Sequence, residues 1–176
     1  MALTPLAVDL DGTLIHGDVS AAAFWALARA RPLSAMGLGP RALWARAGFK
    51  RDLAMAGGPP AMAFRTAFVA WLAEQRGQGR SLHLITGADQ RFAEAIAAPL
   101  GLFDSIEGSD GVVNLVGAAK AARLRARFAD GFSYAGDSIK DVPVFAAARS
   151  IVLVGASARV VRAAERLGVA IDGRFK

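Results

Sequence analysis

The 176 residues give room for one compact domain with an apolar core, with or without a small insertion, but are cramped for two full domains. With 54% hydrophobic and 20% charged residues the chain has the balance of a folded protein. The absence of cysteine excludes disulfides, thiolate catalysis and Cys-built zinc sites, so that any metal must sit on oxygen ligands or on the two histidines. The net charge of +6 raises the question of a nucleic-acid or anionic-lipid partner. The arginines, however, are scattered from Arg29 to Arg174 with no block and no nucleic-acid-binding signature. Nucleic acid is therefore not expected.

The N-terminal segment Met1-Ala2-Leu3-Thr4-Pro5 lacks the basic and apolar regions of a signal peptide. Its first apolar run, Leu6-Ala7-Val8-Asp9-Leu10, reads as a buried parallel strand stopped by Asp11-Gly12. The interval from Gly17 to Pro60 is far longer than a crossover requires. It mixes apolar Phe24, Trp25, Leu27, Leu43, Trp44, Phe49 and Leu53 with Arg29, Arg31, Arg41, Arg46, Lys50 and Arg51, and is expected to be an inserted helical unit. A helix over Met62 to Gln75 supplies the crossover.

Further along, strands are expected at Leu82 to Thr86, Phe132 to Gly136 and Ile151 to Gly155, with a weaker one at Asp104 to Glu107. Helical patterns occupy Asp89 to Leu100, Ala118 to Phe128, Val142 to Ala148 and Ala158 to Leu167. This alternation predicts an α/β fold, a Rossmann-like doubly wound parallel sheet. Its core would comprise residues 1–16 and 61–176, with 17–60 as a small helical cap. No segment reaches the roughly 18 apolar residues of a spanning helix, and a cytoplasmic protein is expected.

Ligands of such sheets bind at the carboxyl ends of the strands, where Asp9, Thr86 and Asp137 all fall. Asp9 and Asp11, two apart at a strand end, can face the same side. A carboxylate so placed can attack phosphorus if a cation offsets the repulsion between anions, while its neighbour handles protons. Asp-Gly at a strand end also reads as an ordinary turn in which Asp9 caps a backbone donor. His83 lies inside an apolar strand, where a core role is favoured. Neither histidine is read as a catalyst; for His16, after the first strand near the expected site mouth, a substrate contact is the less favoured of its readings.

The segment Asp9-Leu10-Asp11-Gly12-Thr13-Leu14 resembles the first motif of the haloacid dehalogenase superfamily. Three further motifs follow in order: Leu84-Ile85-Thr86-Gly87, Lys120 after Asn114-Leu115-Val116-Gly117, and Gly136-Asp137-Ser138-Ile139-Lys140-Asp141. The resemblance implies that Asp9 is the nucleophile and a magnesium ligand. It makes Asp11 the general acid/base, with its backbone carbonyl on the metal, and Asp137 a further metal ligand. Thr86 and the amide of Gly87 would hold phosphate oxygens, and Lys120 would offset the gathered negative charge. Asp141 would support the metal through water or hold Lys120.

Two of these segments also read as helix starts, Thr86-Gly87-Ala88-Asp89 and the Ser138 to Asp141 capping box. Asp11 argues against a dehalogenase and for phosphoryl transfer: a magnesium-dependent phosphatase, with a phosphotransferase or phosphomutase as the alternative. The insertion resembles a C1-type cap. Thr86 to Arg91, Gly101 to Asp104 and Ser109 to Asn114 resemble the hydrolase domain associated with UbiA-type prenyltransferases. That likeness suggests a small or lipid-linked phosphate ester as substrate. It also leaves open peripheral membrane contact through the cap, or a non-catalytic module associated with a prenyltransferase.

Overall fold

In a computed structural model, which describes residues 3–33 and 46–176, six strands form one parallel sheet in the order β3-β2-β1-β4-β5-β6. The strands are β1 (Leu6–Val8), β2 (Leu82–Asp89), β3 (Ser105–Ser109), β4 (Ser133–Gly136), β5 (Ser150–Val154) and β6 (Ala170–Phe175). The helices are α1 (Val19–Ala30), α2 (Arg46–Ala56), α3 (Thr66–Gly77), α4 (Gln90–Ala97), α5 (Ala118–Arg127), α6 (Val142–Phe145) and α7 (Ala158–Arg166). Leu43, Trp44 and Arg41 of the insertion lie outside the described residues, as does the side chain of Arg46.

Side chains alternate across each strand, so the sheet divides the core in two. One cluster joins Leu6 and Val8 of β1 and Val152 of β5 to Phe68 and Leu72 of α3 and Phe92 of α4. The other joins Ala7 of β1, Tyr134 of β4 and Ile151 of β5 to Leu124 of α5, Phe145 of α6 and Val160 of α7. The architecture is thus three-layered, helices on both faces of a parallel sheet. Val19, Ala23, Leu27 and Leu53 of the insertion belong to the first cluster, continuous with the sheet face. Its helices therefore stand on the same apolar core as α3 and α4.

Two elements differ from the sequence reading. Strand β2 runs through Thr86 and Gly87 to Asp89, with an irregularity in its pairing to β3 after Ile85. The helix expected from Asp89 begins at Gln90, where the side chain of Asp89 accepts from Arg91 N, and the alternative cap signal at Thr86 lies within the strand. Strand β6 was not anticipated, because Ala-Ile-Asp-Gly-Arg-Phe carries no apolar run. It pairs parallel with β5, and Phe175 packs against Phe68 and Trp71 at ring-centre distances of 5.2 and 5.4 Å.

Strand order reverses between β1 and β4: β2 and β3 are added on one side, β5 and β6 on the other. At such a reversal the connections leave in opposite directions and open a crevice beyond the strand ends. The residues just past β1 and β4 are Asp9 to Gly12 and Asp137.

Candidate active site

Asp9 leaves β1 with its amide still bonded to Ala135 O of β4 at 3.0 Å, which fixes its backbone on the sheet. Its carboxylate is buried and accepts a hydrogen bond from Lys120 Nζ at 2.8 Å. Lys120 comes from the first turn of α5 and is itself only 3% exposed. The same ammonium donates to Tyr134 Oη at 2.8 Å, and that hydroxyl donates to Asp141 Oδ1 at 2.8 Å. Lys120 Nζ lies 3.6 Å from Asp141. A continuous polar chain, Asp9–Lys120–Tyr134–Asp141, is thereby held inside the fold.

Burial works against the charge on Lys120, but the Asp9 and Asp141 carboxylates outweigh it and hold its pKa above the ordinary lysine value. Burial pushes Asp9 in the neutral direction, with Lys120 opposing. Burial, reinforced by Asp141, raises the Tyr134 phenol, so its proton stays in place. Asp141 is both a cap and a clamp: its other oxygen accepts from Ser138 N at 3.1 Å, completing the expected capping box while Oδ1 takes Tyr134.

Asp137, beyond β4, is set by Thr13, whose hydroxyl donates to it at 3.3 Å, and by the close passage of Gly12. Gly12 has φ +74°, and a Cβ there would fall 2.2 Å from Asp137 Oδ2. Both backbone conformation and space demand glycine. Burial, with Asp9 and Asp141 nearby, pushes the Asp137 carboxyl up to about 6.

One oxygen from each of Asp9, Asp137 and Asp141 lies within 4.8 Å of the others. Three carboxylates against the single buried ammonium leave the cluster short of positive charge, and an all-oxygen donor set suits a hard divalent cation. The Asp11 side chain is not part of this cluster. Its Oδ1 accepts from Val19 N, the first amide of α1, at 2.8 Å. Burial, then the neighbouring Asp18, pushes it up to about 7. The Asp11 carboxylate is thus engaged with α1 and stands apart from the three-carboxylate cluster.

The predicted residues Asp9, Asp11, Thr86, Gly87, Lys120, Asp137 and Asp141 all line one pocket of about 470 Å³. Thr86 is fully buried, and its hydroxyl accepts from Ala88 N at 3.1 Å. Gly87 O accepts from Ser109 Oγ at 2.9 Å and from the ammonium of Lys50. Lys50, from α2 in the insertion, also reaches Asn114 Oδ1 at 3.2 Å and lines the pocket; burial lowers its pKa. Sequence reasoning left Lys50 as one cation among several, and Tyr134 as one strand residue. The partners of Lys50 lie 37 and 64 residues away, and those of Tyr134, 7 and 14 residues away, belong to other elements, so no local pattern marks either.

His83 has the structural role expected of it, with Nδ1 2.9 Å from Ser105 Oγ and its ring beside Phe128. His16 is exposed and is not among the residues lining the pocket.

The haloacid dehalogenase-like hydrolase family model matches residues 6–146. An uncharacterised protein, y4nM of Sinorhizobium fredii, is 34% identical over 153 residues, which cover 86% of this chain but 30% of that protein. Among solved structures, a Bordetella pertussis Tohama I protein of unknown function superposes with a TM-score of 0.75 at 19% identity, covering 97% of this chain and 98% of the other. A substrate-bound phosphoserine phosphatase gives 0.66 at 14% identity, covering 99% and 94%. The putative beta-phosphoglucomutase of Thermotoga maritima gives 0.62 at 17%, also covering 99% and 94%. These structural likenesses bear on the fold, whereas the family match covers the sheet's switch point and every residue of the acidic site. On that match, the chain belongs to the haloacid dehalogenase-like hydrolases.

Proposed function

We propose that the protein is a magnesium-dependent phosphatase that hydrolyses a phosphate monoester through an aspartyl-phosphate at Asp9. The observation that carries this reading is the pairing of two unlike carboxyls in one pocket. Asp9 is held by Lys120 at 2.8 Å, whereas Asp11 is a carboxyl pushed up to about 7. Burial raises both carboxyls, but only Asp9 has a buried ammonium bonded to it that favours its ionised form, whereas Asp11 is turned to the first amide of α1. Carboxyls with such different partners can divide into a nucleophile and an acid/base.

In the first half-reaction an Asp9 oxygen attacks phosphorus and the ester P–O bond breaks. Protonated Asp11 gives its proton to the departing alkoxide, which leaves as the alcohol. In the second, the Asp11 carboxylate takes a proton from water as the water oxygen attacks phosphorus. The acyl-phosphate P–O bond breaks, releasing inorganic phosphate and restoring Asp9. Lys120 keeps the nucleophile oriented, and Thr86 with the Gly87 amide receives phosphate oxygens. Asp9, Asp137 and the Asp11 carbonyl would hold Mg2+, with Asp141 supporting through Lys120. The cation, when bound, offsets the repulsion between the phosphate and the acidic cluster.

The test is hydrolysis of an aryl phosphate with Mg2+ by the wild type, Asp9→Asn and Asp11→Asn. Asp9→Asn is expected to abolish turnover, and Asp11→Asn to lose on the order of 10²–10⁴-fold from missing proton transfer. Undiminished turnover by Asp9→Asn overturns the nucleophile. Transfer to an alcohol acceptor in place of water would make the enzyme a phosphotransferase, since the first half-reaction is common to both.

Residues 17–60 act in this reading as a cap over the pocket, and the substrate is a small or lipid-linked phosphate. Exposed Trp25, Leu33 and Met55 on the insertion favour peripheral contact with a membrane or a prenyltransferase partner. Among the described residues no helix is long and apolar enough to cross a membrane, and a cytoplasmic setting accords with the cysteine-free sequence. Sedimentation with anionic liposomes tests the contact, and absence of binding at low salt removes it.

A further inference from the structure

A second cavity, of about 650 Å³, opens beside the catalytic pocket and shares Asp18, Lys50, Val116 and Lys140 with it. Shared walls make the two one continuous cleft. Their characters differ: the first is walled by carboxylates and lysines, the second by Phe24, Trp25 and Phe49. The Phe24 ring lies 5.8 Å from Trp25 and 6.0 Å from Phe49. Trp25 remains 61% exposed on this wall.

A polar observation points the same way. Ser20, in the first turn of α1, lines the second cavity and is only 8% exposed. Its hydroxyl is the one buried side-chain polar atom without a hydrogen-bond partner among the described residues. Buried polar atoms are ordinarily satisfied, so an orphan on a cavity wall marks a place for a ligand atom.

We infer that this aromatic groove receives the leaving-group half of the substrate, and that this half is predominantly apolar: an aryl or alkyl alcohol rather than a short, charged or polyhydroxylated one. The inference rests on the phosphatase reading for the position of the phosphate. With phosphorus at Asp9, the ester oxygen faces the neck at Asp18 and Lys50, and the carbon body passes beyond it to the aromatic rings. Ser20 then bonds a polar atom of that body or a water carried with it.

The experiment uses the full chain with Mg2+ and a series from methyl to hexyl phosphate, measured for kcat/KM. The corresponding alkyl phosphonates, which cannot be hydrolysed, are titrated by calorimetry. Both quantities are expected to improve by about two- to fourfold per methylene until the groove is filled. Trp25→Ala, a change at a largely exposed side chain that leaves the fold in place, is expected to flatten the dependence to less than twofold. Turnover of the whole series with no chain-length dependence overturns the groove and leaves the phosphatase standing. Chain-length-dependent phosphonate binding without turnover overturns the phosphatase and leaves the groove. An unchanged slope in Trp25→Ala also overturns the assignment.

Discussion

The two halves of the cleft are built in opposite ways. On the sheet side, Asp9, Lys120, Tyr134 and Asp141 are buried, bonded to one another at 2.8 Å and supplied by β1, β4, α5 and the turn before α6. On the insertion side, Lys50 and Trp25 are partly or largely exposed, and the Ser20 hydroxyl has no hydrogen-bond partner among the described residues. Fully satisfied buried polar networks hold a single geometry, whereas an open apolar wall accommodates what is brought to it. On the proposed function, the sheet side would carry a reaction common to many esters and the insertion side would select among them.

The sharpest way to break this contrast is to unbalance the sheet side. Lys120→Met leaves Asp9 and Asp141 buried without their cation, at an expected cost of about 3–5 kcal/mol in metal-free urea denaturation. Added Mg2+ should return part of it. Were the loss below 1 kcal/mol, the network would not be the rigid element described. Tyr134→Phe removes only the hydroxyl between Lys120 and Asp141, with an expected loss of about 1–3 kcal/mol. Turnover should fall with it, because Lys120 then loses one of its positions.

On the insertion side the effects are smaller and of another kind. Lys50→Met should lower kcat/KM by about tenfold, in line with a lost hydrogen bond to a charged group, mainly through KM. A loss confined to kcat would place Lys50 with the chemistry instead.

The last prediction concerns pH. Asp11 and Asp137 are raised from 3.8 to about 7 and about 6, so in the metal-free fold each keeps its proton to higher pH than in the unfolded chain. Their contribution to stability is therefore present below about 4 and is lost as pH rises through 6 and 7. Metal-free melting temperature should decline over that window, and Mg2+, which favours the ionised form, should lessen the decline. The same slope in Asp11→Asn and Asp137→Asn proteins would assign it to other groups.

The sheet side was legible in the sequence because Asp9 and Asp137 fall at the ends of strand-like runs, and strand ends in a parallel sheet share one edge; Asp141 was legible only through its motif. The strands β1, β2, β4 and β5 themselves followed from those runs. Strand β6 did not, since Asp172, Gly173 and Arg174 interrupt any apolar pattern and only pairing with β5 makes it a strand. Tyr134 and Lys50 escaped for a related reason: each matters through partners that tertiary structure alone brings near. The helix after β2 was legible from Asp89, whereas the alternative cap signal at Thr86 falls within a strand that continues to Asp89, whose own side chain provides the cap.

The bond from the first amide of α1 to Asp11 carries a mechanical implication. That N–H favours the ionised carboxylate, and the partial positive charge at a helix start adds to it. In the proposed reaction, the Asp11 carboxylate that turns from Val19 toward the attacking water gives up both, and its affinity for a proton rises at the step in which it must take one. On that reading the position of α1 tunes the proton affinity of Asp11, and a displacement of the insertion would be felt at the proton transfer.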